Sequence, residues 1–312
     1  MSVLADVRKA AAGSRYWTGF VLAVVGAVLF SAKAIVAKLT YRYGVDALTV
    51  MGFRMLVSLP LFAVVAALQA WRAHQGKQMR LSRRDAFHIL GLGFVGYYLS
   101  SYLDFIGLQY ITAGLERLIL FLSPTFVLLI SAFYLKRRIT AAQWLALGLS
   151  YMGVLLAFVH DLSFAGSGVL VGAGFVLASA FSYAIYLISA GEVLKRVGST
   201  RLVAYAMSAS AVYAIIHFLV LRGWEGLAQP VEVYQLSLVH AVFHTFLPTF
   251  MVMWAVARIG APLAAQLGMI GPVSVLFLAA WLLDEPITML QMVGTALVLA
   301  GMVVLGRARP AG

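Results

Sequence analysis

Leu135-Lys136-Arg137-Arg138-Ile139-Thr140-Ala141-Ala142-Gln143 joins two apolar runs early in the chain, and Leu283-Asp284-Glu285-Pro286-Ile287-Thr288-Met289-Leu290-Gln291 joins two more, 148 residues later. The same ungapped shift lays Pro124, Leu149 and Gly153 on Pro272, Leu297 and Gly301. It also lays Gly26, Val28, Leu29, Ser31 and Ala32 on Gly174, Val176, Leu177, Ser179 and Ala180. Gly44 and Leu48 match Gly198 and Leu202 only after about six extra residues. One offset shared by a proline, an Ile-Thr pair, a glutamine and a glycine marks an internal duplication, not a coincidence among apolar residues. The copies differ where they are charged: Lys-Arg-Arg in one stands against Asp-Glu-Pro in the other.

Composition fixes the solvent around these copies. The 312 residues are 63% hydrophobic and 11% charged, against roughly 45–50% and about 25% in soluble domains. Apolar side chains must therefore face lipid as well as one another. A crossing takes about 20 apolar residues, and such runs are predicted at 17–39, 46–71, 86–108, 111–135, 140–159, 166–190, 200–221, 233–257, 261–283 and 287–306. The expected fold is all-α, with ten transmembrane helices as two five-helix repeats, 17–159 and 166–306. Five crossings per repeat put equivalent loops on opposite sides of the membrane, so the second copy is inverted.

Loop charge agrees with inversion. Seventeen Lys and Arg fall in the N-terminal stretch, 72–84, 136–138, 195–201, Arg258 and the C-terminal tail, against Lys38, Arg42 and Arg222 on the other side. The positive-inside rule then places both termini in the cytoplasm. It also accounts for the removal of basic residues from the outward-facing copy of the Lys136-Arg137-Arg138 loop. The net charge of +12 is read as contact with anionic lipid headgroups, with no nucleic-acid partner. The basic N-terminus precedes an apolar run too long for a signal-peptide core, and no cleaved signal is expected. Without cysteine, disulfides, thiolate catalysis and Cys-ligated metals are excluded. No phosphate-binding loop and no H-E-x-x-H or G-x-S-x-G motif occurs, so no ATPase, cofactor, metal site or enzyme activity is expected.

Gly260-Ala261-Pro262, Pro272, Leu283 to Thr288, Gln291, Gly294 and Gly301 resemble the closing signature of the drug/metabolite transporter superfamily, in its ten-helix, two-repeat branch. Gly52-Phe53-Arg54, Pro124 and Ile139-Thr140-x-x-Gln143 carry the resemblance into the first half. Lys136-Arg137-Arg138 departs from it, since the family often has an acidic residue in that loop. Overall similarity and aromatic helix positions are closest to bacterial aromatic-amino-acid exporters. The resemblance implies a carrier of the bacterial inner membrane that exports small metabolites, aromatic and other neutral amino acids first, and works as a monomer. Efflux of lipophilic cations is the alternative, and a lipid-modifying enzyme a remote one. Inverted repeats imply alternating access around a midplane site.

Five full charges fall inside predicted spans of the first repeat: Lys33, Arg54, Asp104, Glu116 and Arg117. Intramembrane charges mark substrate contacts or helix-locking ion pairs. Lys33 and Arg54 are the stronger substrate candidates, because Phe181 stands at the repeat position of Lys33. Asp104, Glu116 and Arg117 complete a polar cluster. Tyr98 and Tyr102 continue an i, i+4, i+8 stripe from Phe94, and Tyr183 and Tyr186 lie in the sixth span. Aromatic walls of this kind would stack on a flat ring; core packing is the plainer role. His244, one turn from His240, offers either a proton-titrating group or a hydrogen-bonded helix contact. Gln266 and Met269 in the ninth span are further cavity candidates. Pro124, Pro248 and Pro272, with Gly271, lie near helix midpoints and are expected to act as hinges or as static kinks.

Overall fold

The computed structural model describes residues 2–76, 81–134, 139–165 and 168–307. Lys136, Arg137 and Arg138 lie outside them. Among the described residues there is no strand, and ten helical stretches are long and apolar enough to cross a membrane. They are Tyr16–Tyr41, Ala47–His74, Arg83–Leu108, Ala113–Phe133, Ala141–Ser163, Val169–Gly191, Ser199–Arg222, Val231–Ile259, Leu263–Leu282 and Met289–Arg307, here spans 1 to 10.

Helix ends are capped by the residues that punctuate the sequence. Thr140 and Gln143 bond reciprocally, Thr140 N–H to Gln143 Oε1 (2.9 Å) and Gln143 N–H to Thr140 Oγ1 (3.3 Å). This capping box satisfies two of the amides left open at the start of span 5. In the second copy Gln291 N–H reaches Thr288 Oγ1 at 3.4 Å. The repeated Ile-Thr-x-x-Gln motif is thus a helix-start signal. Asp46 caps span 2, accepting from Thr49 N–H (2.9 Å) and Thr49 Oγ1–H (2.6 Å), and pairs with Arg222 at the end of span 7.

Packing follows the duplication. Span 1 packs on span 8 as span 6 packs on span 3; span 1 on span 9 as span 6 on span 4; span 3 on span 7 as span 8 on span 2. Spans 2 and 7, 4 and 9, and 5 and 10 pair with their own repeat partners. Exchanging each span with the one five places on reproduces these pairings, as a pseudo-two-fold axis requires. Backbone contacts obey the same exchange: a Cβ on Gly294 would meet the Gly153 carbonyl at 2.6 Å, and one on Gly301 would meet the Ala146 carbonyl at 2.8 Å. Small residues let the two helix backbones touch where lipid offers no hydrophobic drive for association.

Several spans are interrupted; irregularity was expected at Pro124, Pro248 and Pro272, but not the places of the breaks, nor those in spans 1 and 3. Span 1 breaks at Ala32, span 4 at Phe121-Leu122 and span 9 at Met269. The last two are repeat equivalents, since 121 and 269 differ by 148. Pro124 and Pro272 stand in the first turn after each break rather than inside a continuous kinked helix. There a missing N–H costs little, because first-turn amides lack intrahelical partners anyway. Spans 3 and 8 each contain a wider π-helical turn, Phe94–Leu99 and Val242–Phe246, again 148 apart. Pro248 stands two residues after the end of the second one.

Two measurements test these contacts. Gly153→Val and Gly301→Val should each lower stability by about 1–3 kcal/mol, read as earlier thermal unfolding of purified protein, because the obstacle is backbone that cannot rotate away. Partial burial pushes the Asp46 carboxyl up, but the bonds from Thr49 and Arg222 outweigh it and hold it below the usual carboxylate range. A carboxyl held low stabilises the fold above its unfolded pKa and loses that contribution as pH falls through the folded one. Asp46→Ala should therefore cost about 0.5–2 kcal/mol at neutral pH, and the gap to wild type should close in acid.

Candidate functional site: a buried charge cluster beside paired helix breaks

The break in span 1 has a local cause. The Ser31 hydroxyl donates to the Ala27 carbonyl (2.7 Å), a back-bond that bends helices, and Lys33 begins the segment beyond. His244, in the π-helical turn of span 8, uses Nδ1–H to bond the Leu29 carbonyl (2.6 Å). Of its two expected roles, the structure shows the helix contact, at the point where span 1 breaks. The other wide turn is tied in the same way: Ser182 of span 6 donates to the Val95 carbonyl (2.7 Å). Backbone groups opened by irregular turns need such partners inside a bilayer.

Lys33, Arg54, Asp104, Glu116 and Arg117 gather in one place, none more than 8% exposed. The Lys33 ammonium donates to Asp104 Oδ2 and stands 3.9 Å from Glu116 Oε1. Phe105, fully buried, carries the Arg54 guanidinium 4.8 Å from its ring centre and the Lys33 ammonium at 5.5 Å. Arg117 lies 5.5 Å from the Phe30 ring centre and 5.3 Å from that of Phe121. Its guanidinium also touches the backbone of span 9: a Cβ on Gly271 would meet Arg117 Nη2 at 3.2 Å. Glycine at 271 thus lets the first-repeat cluster reach the second-repeat break. Among the described residues, Arg54 Nε and Nη2 and Arg117 Nε have no hydrogen-bond partner. Full charges inside a membrane cost roughly 2.5–3.5 kcal/mol each on insertion scales, so five together with unspent donors are not explained by helix locking alone.

The aromatic candidates fall in two clusters. Tyr98 bonds His217 of span 7 through its hydroxyl (Nδ1 at 2.9 Å), stacks parallel to Tyr102 and approaches Tyr213. Tyr183 and Tyr186 stack at 5.4 Å on span 6, where Tyr186 bonds the Tyr97 hydroxyl (3.0 Å). The two sets occupy different faces of span 3 and do not form one cage. Gln266 is exposed, and Met269 sits half-buried at the span 9 break. Pro248 and Pro272 are buried, with Gly271.

The sequence reading missed Asp161, Glu285 and His217. It also placed all buried full charge in the first repeat, whereas Glu285 and Arg201 of the second are buried too. Glu285 accepts from the Ala113 amide (3.0 and 3.2 Å) and pairs with Lys38 (3.0 Å). Asp161 accepts from Thr112 N–H and Oγ1–H, both at 2.7 Å. The two carboxylates cap the start of span 4. With the Asp46–Arg222 pair they tie together the end of the molecule nearer the cluster. At the opposite end the repeats meet through the exposed Arg196–Asp85 pair (2.6 Å).

Paired repeats, symmetric packing and interrupted helices around buried charge define a multi-pass membrane transporter. The model of the EamA-like transporter family matches the chain twice, over 17–159 and 170–307, and the chain belongs to that family. Among its relatives, the uncharacterized transporter YcbK of Bacillus subtilis (strain 168) is 31% identical, covering 92% of this chain and 90% of that protein. An uncharacterized transporter of Archaeoglobus fulgidus is 26% identical over 84% and 89%. A solved crystal structure shares the fold, with a TM-score of 0.59 at 17% identity over 94% of this chain and 96% of that one.

A double-mutant cycle tests whether Lys33 and Asp104 act as a pair. Removing one partner strands a buried charge and should cost about 3–5 kcal/mol. Lys33→Met and Asp104→Leu together should cost clearly less than their sum, read from thermal unfolding of purified protein.

Proposed function

We propose that this transporter is a secondary carrier that exports small amphiphilic metabolites, aromatic and other neutral amino acids first, across the bacterial inner membrane. It works by alternating access as a monomer, with both termini cytoplasmic. The observation that carries this reading is the pairing of equivalent breaks in spans 4 and 9 beside a buried cluster with unspent guanidinium donors. Arg54 and Arg117 supply donors for a substrate carboxylate, and Asp104 and Glu116 supply acceptors for its ammonium. Rocking one repeat against the other about the breaks preceding Pro124 and Pro272 would open the site to each side in turn. The ties from Lys38 to Glu285 and from Arg222 to Asp46 hold the cluster's own end shut.

Tyr98 and Tyr102 on one face of span 3, and Tyr183 and Tyr186 against the other, are proposed as two separate aromatic surfaces along the substrate's path, with Gln266 and Met269 as further contacts. Efflux of lipophilic cations fits less well. It needs a central carboxylate free of cations, and Asp104 and Glu116 both face Lys33. Purified protein in liposomes should take up labelled phenylalanine saturably, and Lys33→Met should reduce that flux at least tenfold, as loss of a buried charged contact of about 1.5–3 kcal/mol implies. Saturable flux of no amino acid would sink the substrate assignment, and normal flux in Lys33→Met would remove Lys33 from the site.

A further inference from the structure

The cluster has a second unexplained feature, on its acidic side. Asp104 of span 3 and Glu116 of span 4 are each 1% exposed, and both carboxyl groups face the same ammonium, that of Lys33. Lys33 bonds only Asp104 Oδ2; its distance to Glu116, 3.9 Å, is too long for a hydrogen bond. Among the described residues, Asp104 Oδ1 and both oxygens of Glu116 receive no donor. Two adjacent carboxylates without a donor repel, and buried acceptors without partners are costly. A single proton held by the pair removes one negative charge and turns one stranded acceptor into a donor.

The surrounding groups do not supply that donor. From span 1 come Lys33 and Tyr41, whose hydroxyl is committed to the Phe105 carbonyl (2.8 Å). From span 2 comes Arg54, laid on the Phe105 ring. On span 4 Arg117 turns away to Phe30 and Phe121. From span 8 come His240, edge-on to Phe105 at 5.6 Å, and His244, held by Leu29. Span 9 brings the backbone at Gly271 to this cluster through Arg117.

We infer that Asp104 and Glu116 together hold one exchangeable proton, and that this pair, not His244, is the proton-coupling site of the transporter. The inference rests on the transport reading and assigns its coupling ion. Binding forms one O–H bond on the pair; release sends the proton to water and leaves two carboxylates with Lys33 between them. The formal charge of the five-residue cluster changes from +2 to +1. Lys33 directly follows the span 1 break, and Glu116 lies in the segment that ends at the span 4 break. A change of charge here therefore acts on two segments already jointed to move.

Neither arm of the test needs a known substrate. Infrared spectra of the wild-type protein in liposomes at neutral pH should show the carbonyl stretch of a buried protonated carboxylic acid, shifted in heavy water and lost at alkaline pH. The band should vanish in Glu116→Gln or Asp104→Asn, whichever remains folded. Absence of the band in wild type, or its persistence in a folded variant, overturns the inference. If neither variant folds, Glu116→Asp and Asp104→Glu, which keep a carboxyl at each place, should shift the band, and an unshifted band in both overturns the inference.

The chain has no cysteine, so Thr40→Cys, at a position 1% exposed near the cluster's end of span 1, reports opening by its alkylation rate. That rate should change several-fold across the pH range in which the band titrates, and the change should disappear with Glu116→Gln. A titrating band with a pH-independent rate would mean a static proton and would overturn coupling. Loss of phenylalanine flux with both arms positive would strike the substrate assignment alone.

Discussion

The constraint on which this structure depends is the absence of water around its backbone. In a bilayer every peptide group must find a partner within the chain, so an interruption in a helix survives only where a side chain repairs it. The interruptions of spans 1, 3, 4 and 8 each have such a repair nearby. Ser31 back-bonds to Ala27 before the break in span 1, and His244 reaches the Leu29 carbonyl from another span. In span 4 the Ser123 and Thr125 hydroxyls donate to the Leu120 and Leu122 carbonyls (2.7 and 2.6 Å). Within the wide turn of span 8, Thr245 bonds the carbonyl of His240 five residues back (3.0 Å). These small polar residues make it possible for the helices to be jointed at all.

Duplication then sets where the joints go. The breaks of spans 4 and 9 and the wide turns of spans 3 and 8 recur at one sequence offset, and the span-to-span packing recurs with them. A repeat that runs antiparallel to its copy presents the same joints to the two faces of the membrane. Equivalent joints at opposite depths allow one chain to be closed at one end and open at the other without a second design. The Gly153 and Gly301 contacts between spans 5 and 10 lie apart from these joints. Backbone packed on backbone has little freedom to slide, so this pair fits a fixed seam about which the rest could rock.

Much of this was legible in the chain. Lipid imposes a length and a composition on each crossing, so the ten spans were found within a few residues at most ends. The Ile-Thr-x-x-Gln repeat was visible, although its physical meaning, a capping box, needed the Thr140 and Gln143 geometry. Gathering of the five charges was expected because a lone charge in hydrocarbon is too costly to leave unpaired. What could not be read was direction. Pro124 and Pro272 signalled irregular helix, but the breaks fall two or three residues earlier, and in span 4 the freed carbonyls are met by the hydroxyls of Ser123 and Thr125 just beyond the break. Asp161 and Glu285 were passed over because they lay in segments read as loops, while the structure turns both inward as caps for span 4. Nor could the stripe from Phe94 to Tyr102 reveal that its partner is His217 on span 7 while Tyr97, one residue from Tyr98, joins Tyr183 and Tyr186 on span 6.

Symmetry explains the joints, but only its violation can explain selectivity. A perfectly repeated carrier would offer the same groups to its substrate from both halves. Here the exceptions concentrate at one locus. Span 1 breaks at Ala32, whereas span 6 runs unbroken through the equivalent Ala180. Lys33 has Phe181 as its counterpart, and the five-charge cluster is built entirely from spans 1 to 4. The second repeat answers with Gly271 beneath Arg117 and with histidines on span 8. One half thus carries the charge and the other shapes the space around it. A buried set of three cations and two acids is tolerable only if something else completes it during the cycle. In the proposed cycle a ligand carboxylate would complete the cationic side and the inferred proton the acidic side. Because both would act on the same few side chains, neither can bind without altering the affinity for the other, and that mutual dependence is the physical content of coupled transport.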